Sequence, residues 1–554
     1  MSTIRRESVY VAINNANMSI DYNIHDDIHK QNEFMVETII VDNSLTDDEK
    51  TEAIKILNID YDRNKVRNNE GTRRICENCN QECLATLYCE FCFRNYLKLK
   101  FSNWTSGNDN IDNLIQKCQM ETYVPYKIIE WIPYDNLKDI KYLTKGGFSE
   151  IYTAIWIDGE YEEWNSKEKR LTRCGSMDVV LKSLENVESA NQSWFEEAIS
   201  HLTISNMYEE IVRCNGLTQN PSNGNYMLVI DRMNTDLRKY LQQNHNQLTW
   251  KERIKITYEI TNALCSIHEE NAIHRDLHSG NILYSEINDS WYISDLGFCG
   301  PADKPTKSIY GNLPYIAPEV IAGREYTLAS DIYSVAMLMW EISSGQPPFI
   351  NYENDYYLAT NIINGIRPRI VSEIPLEYKS LMEQCWNANP SERLDTQTLF
   401  DKMSEIHLLC QNRPDELIQS KAKKYSGINE INSNYTGSRL FKSKVHQFEN
   451  FPEPKNATEE EQEAFHSKSY CFNIPYNIDD FNNRVLEDNS KSNLSKEFNE
   501  LQINDIQNNY NRKEILLQRM MGHHINIDDD EDEIYNNPNF HSEEQDEFNI
   551  PDDL

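Results

Sequence analysis

Glycine and proline are scarce in this chain, 18 of each in 554 residues, which excludes collagen-like repeats and a linker-dominated architecture. Uninterrupted apolar runs of the roughly 18 residues needed to cross a bilayer are missing. The N-terminal MSTIRRESVYVAINNANMS also lacks the apolar core of a secretory leader. An intracellular, cytoplasmic protein is therefore expected. Positive charge is short as well: 54 Lys and Arg stand against 89 Asp and Glu, a formal net charge of −35. Such a field repels phosphate backbones and anionic lipid, so nucleic acid and membrane surfaces are poor partners. No repeat of about 20 to 50 residues is visible, and residues 415 to 554 hold no sustained heptad pattern.

What is present begins with cysteine. In a reducing compartment the 13 cysteines are read for metal before disulfides. The run CENCNQECLATLYCEFC holds two Cys-x-x-Cys pairs, Cys76 with Cys79 and Cys89 with Cys92. Each pair can form a knuckle that aims two sulfurs at one ion, so four thiolates can close a tetrahedral Zn2+ site. Cys83 is left over. The competing reading is a reduced Cys-rich segment packed on the rest of the protein. Arg73, Arg74, Arg94, Lys98 and Lys100 flank the cluster as in a nucleic-acid finger, but a small Zn2+ module followed by a helix-like run at 103 to 119 looks more like a docking unit for a protein partner of unknown identity.

Further along, residues 274 to 283 read HRDLHSGNIL and residues 295 to 297 read DLG. An Asp, an Asn five positions later and a second Asp beyond a short strand are the groups phosphoryl transfer needs. Upstream, LTKGGFSEIY at 143 to 152 has strand-turn-strand spacing, and Val179-Val180-Leu181-Lys182 ends a strand-like run in a lysine. The helical segment WFEEAISHL at 194 to 202 offers Glu196 and Glu197, of which Glu197 is favoured by its spacing to His201 and Leu202. Downstream stand GNLPYIAPE at 311 to 319, DIYSVAMLMWEISSGQPPF from Asp331, and CWNANPSERL ending at Leu394.

This ordered set resembles the protein kinases over roughly residues 135 to 408, and within them the tyrosine-kinase-like group. The wording GLTQNP, YMLVID and HRDLHSGNIL is similar to the expanded kinase set of arbuscular mycorrhizal fungi, which often carries such a Cys-rich N-terminal segment. The resemblance implies an α+β, two-lobed fold with a small β-rich N-lobe and a larger helical C-lobe. It implies transfer of the ATP γ-phosphoryl group to protein hydroxyls in signal transduction, with Asp276 as base, Lys182 on the α- and β-phosphates, and Asn281 and Asp295 on Mg2+. ATP would be lined by Leu143, Gly146, Gly147, Ile151, Lys182, Glu197, Asp231 and Met233. Arg393 would pair with Glu319, and Thr306, Ser308 and Tyr310 are candidate regulatory phosphosites facing Arg275.

Two departures favour a rival, a pseudokinase scaffold without efficient turnover. Thr144 and Ser149 replace the outer glycines of the phosphate loop, and His278 stands where Ser/Thr kinases carry a lysine. Retention of Lys182, Asp276, Asn281 and Asp295 argues for activity, and the form of GNLPYIAPE favours Ser/Thr over Tyr acceptors. Around the catalytic domain, residues 1 to 70 are expected as a polar, mobile arm with one helix from Asp47 to Leu57 capped by Ser44 or Thr46. Residues 71 to 120 are expected as the Cys-rich unit with a helix over 103 to 119. Residues 415 to 554, with the acidic run Asp528 to Glu533, are expected as a mostly disordered tail with a transient helix at 494 to 507.

Overall fold

The computed structural model describes residues 4–21, 23–145, 149–184, 193–301, 309–371, 374–411, 443–448 and 451–467. The expected helix at 494 to 507 lies outside these.

The N-terminal arm is corrected by the structure. Arg6–Met18, Ile28–Val41 and Asp47–Asn68 are helices, and Val9, Ala12, Ala16, Ile39, Ala53 and Leu57 bury one another between them. The segment averages as polar, but its few apolar side chains fall on facing stripes of three helices and so find each other. Local chemistry sets the helix starts. Asp27 accepts from the N–H groups of His29 and Lys30, and Thr46 and Glu49 form a reciprocal capping box. Arg5 closes the bundle on Glu49, Nε to Oε1 at 2.7 Å and Nη2 to Oε2 at 2.8 Å.

Next comes a short antiparallel hairpin, Arg74–Ile75 with Glu82–Cys83, then helices Glu90–Lys98 and Asp109–Glu121. The second helix starts later than expected because Asn108 caps the N–H groups of Asn110 and Ile111. Glu130–Trp131 then adds in parallel to Cys214–Gln219, so chain from outside the catalytic resemblance forms one edge of the small-lobe sheet. From that edge the six strands run Glu130–Trp131, Cys214–Gln219, Tyr226–Asp231, Met177–Ser183, Glu150–Trp156 and Leu137–Lys145. A second hairpin, Tyr161–Asn165 with Arg170–Arg173, stands off this sheet. Its Tyr161, Trp164 and Leu171 share a core with Tyr88 and Phe93 of the Cys-rich unit and with Val124 and Ile128 just after it.

The large lobe is helical, built around Leu328–Ser344, whose residues from Ser330 to Ser343 are all buried. A helix buried on every side lies at the centre of its lobe: Trp250–Glu269 and Leu376–Cys385 pack on it, and Thr396–Gln411 packs on Trp250–Glu269 in turn. Gly345, at φ 73° in the left-handed region, ends it. The tail was expected to be mostly disordered, yet its described residues pack on this lobe. Strand Lys444–His446 pairs with Ile309–Gly311, and helix Glu459–His466 buries Phe465, whose ring stacks on Tyr352 at 5.2 Å.

Candidate active site

Lys182 sits in the middle of the small-lobe sheet, opposite Ile151 on one neighbouring strand and Leu228 on the other. Its ammonium lies 2.6 Å from Glu197 Oε1 and 2.5 Å from Asp295 Oδ1. Burial works against the charged ammonium, but Asp295 and then Glu197 outweigh it and raise its pKa above the ordinary value. Burial likewise opposes ionisation of Asp295, and Lys182 reverses that, holding the carboxyl well below the usual range. Of the two glutamates on helix Ser193–Met207, Glu197 is the partner; the side chain of Glu196 is outside the described ones. One turn further on, His201 Nε2 accepts the Leu296 N–H at 3.2 Å, and burial lowers this imidazole to about 3. It ties the helix to the DLG turn. Its position four residues after Glu197 was the available signal for that role.

The catalytic loop hangs from the central helix. Asp331 accepts the His274 N–H at 2.7 Å and the Arg275 N–H at 3.0 Å, which holds Arg275 at φ 68°. Asn281 Nδ2 donates to the Asp276 carbonyl at 2.9 Å, and the Ser294 N–H returns to the Asn281 carbonyl at 2.8 Å. The loop and the DLG strand are thereby locked together. The Asp276 carboxyl is raised to about 7 by burial first and by the like charge of Asp295, against hydrogen bonds led by the one from Ser443. That serine, from the tail, donates to Asp276 Oδ1 at 2.8 Å; no motif pointed to it. His278 is pushed down to about 3 by burial and by Arg238. Its Nδ1 accepts the Gly280 N–H at 3.0 Å, so it brings no positive charge to the site.

The carboxylate of Asp295 and the amide of Asn281 are hard oxygen donors of the kind Mg2+ takes, beside a buried ammonium that suits phosphate. The donor set therefore fits a Mg2+–nucleotide. Leu143 and Ile151 lie on adjoining strands, where Thr144 faces Ile151; Gly146 and Gly147 lie outside the described residues. Asp231 ends strand Tyr226–Asp231, and its N–H is spent on the Arg213 carbonyl at 3.1 Å. Glu319 and Arg393 form a buried two-pronged ion pair, 2.7 and 2.6 Å. Among the phosphosite candidates Thr306 and Ser308 fall outside the described residues, and Tyr310 is buried, with its carbonyl accepting from the Tyr326 hydroxyl.

Some distance along the chain, the four thiols of Cys76, Cys79, Cys89 and Cys92 lie within 4.8 Å of one another. Cys76 and Cys92 sulfurs are 3.6 Å apart, as are those of Cys79 and Cys89. A tetrahedral Zn2+ about 2.3 Å from each sulfur sets sulfurs about 3.8 Å apart, so the donor set fits that ion. Burial opposes ionisation of Cys76, yet the backbone N–H groups of Cys79 and Asn78 lower it to about 6. Cys83 is buried in the hairpin beside Cys89 and Glu90.

Residues 137–403 match the family model described as protein tyrosine and serine/threonine kinase. They form a protein kinase domain. Similar proteins include the probable serine/threonine-protein kinase roco7 of Dictyostelium discoideum, 26% identical over 293 residues, 50% of this chain and 10% of that protein. A dual serine/threonine and tyrosine protein kinase of Danio rerio is 32% identical over 171 residues, 30% of this chain and 19% of that one. The dual specificity protein kinase zakA of Dictyostelium discoideum is 28% identical over 228 residues, 38% and 29% of the two chains. Across these three the similarity spans between 10% and 29% of the relatives' own lengths.

Proposed function

We propose that this chain transfers the γ-phosphoryl group of ATP to Ser/Thr hydroxyls of proteins, with Tyr a lesser acceptor, in intracellular signalling. The observation that carries the reading is the Lys182–Glu197 pair at 2.6 Å beside Asp295, opposite a catalytic loop whose Asp276 accepts a serine hydroxyl at 2.8 Å. A scaffold has no chemical need for both halves. Lys182 would hold the α- and β-phosphates, and Asn281 and Asp295 would hold Mg2+. Bound Mg2+–ATP supplies the phosphoryl group and offsets the charge that develops during transfer. Asp276 orients the acceptor and takes its proton. The Asp231 carbonyl and the Met233 backbone would meet the adenine edge, and Leu143, Ile151, Gly146 and Gly147 would cover the nucleotide. With His278 neutral, the charge that a lysine offers there is missing, so turnover is expected at the slow end for kinases.

The reading extends to the tyrosine-kinase-like group on the wording of HRDLHSGNIL, and to a structural Zn2+ on Cys76, Cys79, Cys89 and Cys92. The test is incorporation of label from γ-labelled ATP with Mg2+ into casein, with the modified residue identified by mass spectrometry. Incorporation that Asp276→Asn abolishes supports the reading. A folded, nucleotide-binding chain that transfers nothing above that variant would make the scaffold the better account.

A further inference from the structure

Ser443 and Asp276 are 167 positions apart, yet the tail brings a primary hydroxyl onto the carboxylate that would deprotonate an acceptor. The contact is held in register. Lys444, Val445 and His446 pair antiparallel with Gly311, Tyr310 and Ile309. A slip of one residue would turn Ser443 to the opposite face. His446 Nε2 donates to the Gly311 carbonyl at 3.0 Å, and Lys444 Nζ donates to the Asn354 carbonyl at 3.1 Å. Beyond the strand, Phe448 meets the Tyr356 ring edge to face at 6.3 Å, and Phe451 stacks on that ring at 4.8 Å. Further on, the Lys455 N–H donates to the Ile363 carbonyl at 3.0 Å, and Asn456 Oδ1 accepts the Ala388 N–H at 2.9 Å. An extended peptide added edge to edge, with backbone pairing for affinity and side-chain seats for selection, is how a strand-binding groove takes its ligand.

We propose that residues 443–448 occupy the protein-substrate groove of their own kinase domain and that Ser443 is a phosphoryl acceptor in cis. This rests on the kinase reading above. In the step, the bond between the γ-phosphorus and the β,γ-bridging oxygen of ATP breaks and a bond from Ser443 Oγ to that phosphorus forms. The hydroxyl proton passes to Asp276, and ADP leaves with the electron pair. Tethering replaces encounter, so the local concentration of this acceptor exceeds that of a free peptide. Before transfer, the strand keeps other substrates out. Afterwards a phosphoserine lies beside Asp276 and Asp295, and like-charge repulsion favours release of the strand.

The full-length chain is incubated with Mg2+–ATP and casein, and both products are followed by mass spectrometry. Expected are phosphate on Ser443 with a first-order rate unchanged over about tenfold dilution, none in Asp276→Asn, and casein labelling that accelerates as Ser443 is modified. Phe451→Ala, which removes only a tail anchor, should slow Ser443 labelling several-fold while casein labelling is kept or increased. Casein labelled without Ser443 overturns the proposal and leaves the kinase reading standing. A Ser443 rate that rises with protein concentration overturns docking in cis. If neither is labelled in folded, ATP-binding protein, the kinase reading fails and the proposal falls with it.

Discussion

Chain from outside residues 137–403 covers the kinase domain on two sides, and the two covers differ in kind. Behind the small lobe the contact is apolar. Ile111, Ile115 and Cys118 of helix Asp109–Glu121 share a core with Ala198 and Leu202 of the Glu197 helix and with Leu217 of the sheet. Each fully buried aliphatic side chain of this sort contributes about 1.5–3 kcal/mol, so this cover is part of the fold. At the substrate groove the contact is a three-residue strand with Lys444 and Val445 exposed, held by backbone bonds and a few rings. An isolated two-strand pairing is marginal in water. That cover is exchangeable. One braces the residue that positions Lys182; the other sits where a substrate would.

The largest expected effect ignores the difference between the covers. Asp276→Asn should lower both casein and Ser443 labelling by about 10²–10⁴-fold, the usual worth of a general base, while the melting temperature holds or rises, since a buried carboxyl has been neutralised. Ile115→Ala should cost about 2–5 kcal/mol in urea unfolding and reduce turnover, because the cavity lies behind the Glu197 helix. A removable docking unit predicts unchanged turnover instead, and deletion of residues 1 to 120 makes the same comparison more severely. Elemental analysis should find one Zn2+ per chain, lost in Cys89→Ser. Chelation should lower the melting temperature and loosen the hairpin Tyr161–Asn165/Arg170–Arg173, which shares the Cys-rich core, with increased amide exchange there as the readout. Phe451→Ala should touch only the exchangeable cover, leaving the melting temperature within a degree or two while opening the groove.

The smallest effect is a pH dependence in the large lobe. Arg253 Nη1 donates to His245 Nδ1 at 2.9 Å, and burial, with Arg253 beside it, lowers this imidazole to about 4. The folded value is below the ordinary 6.5, so the associated stability is present above pH 6.5 and is lost as pH falls through about 4. Melting temperature should decline over that window. His245→Gln, which keeps an acceptor for Arg253, should flatten the decline; an unchanged slope would remove His245 as its source.

Legibility in the sequence followed distance along the chain. HRDLHSGNIL pointed to Asp276 and Asn281 because that loop closes on itself, Asn281 amide to Asp276 carbonyl, across five positions, and DLG pointed to Asp295 as a short motif of its own. The Cys-x-x-Cys pairs were readable for the same reason. The helix starting at Asp47 with its Thr46 cap was legible locally, whereas Arg6–Met18 and Ile28–Val41 were missed because their apolar residues are sparse in each segment and sufficient only when three segments face one another. His201 was within reach, one turn from a residue already singled out.

By itself the sequence determined the chemistry: which carboxylates, amide, ammonium and thiols are present, and which of them share a turn. Tertiary structure decided which partners those groups have. It selected Glu197 for Lys182, left His278 buried and neutral, set an N-terminal helix against the small lobe, and carried Ser443 to Asp276. Local motifs encode backbone turns that a few neighbouring residues satisfy. A contact closed over 167 positions depends on how whole surfaces bury each other, and no spacing in the chain records that.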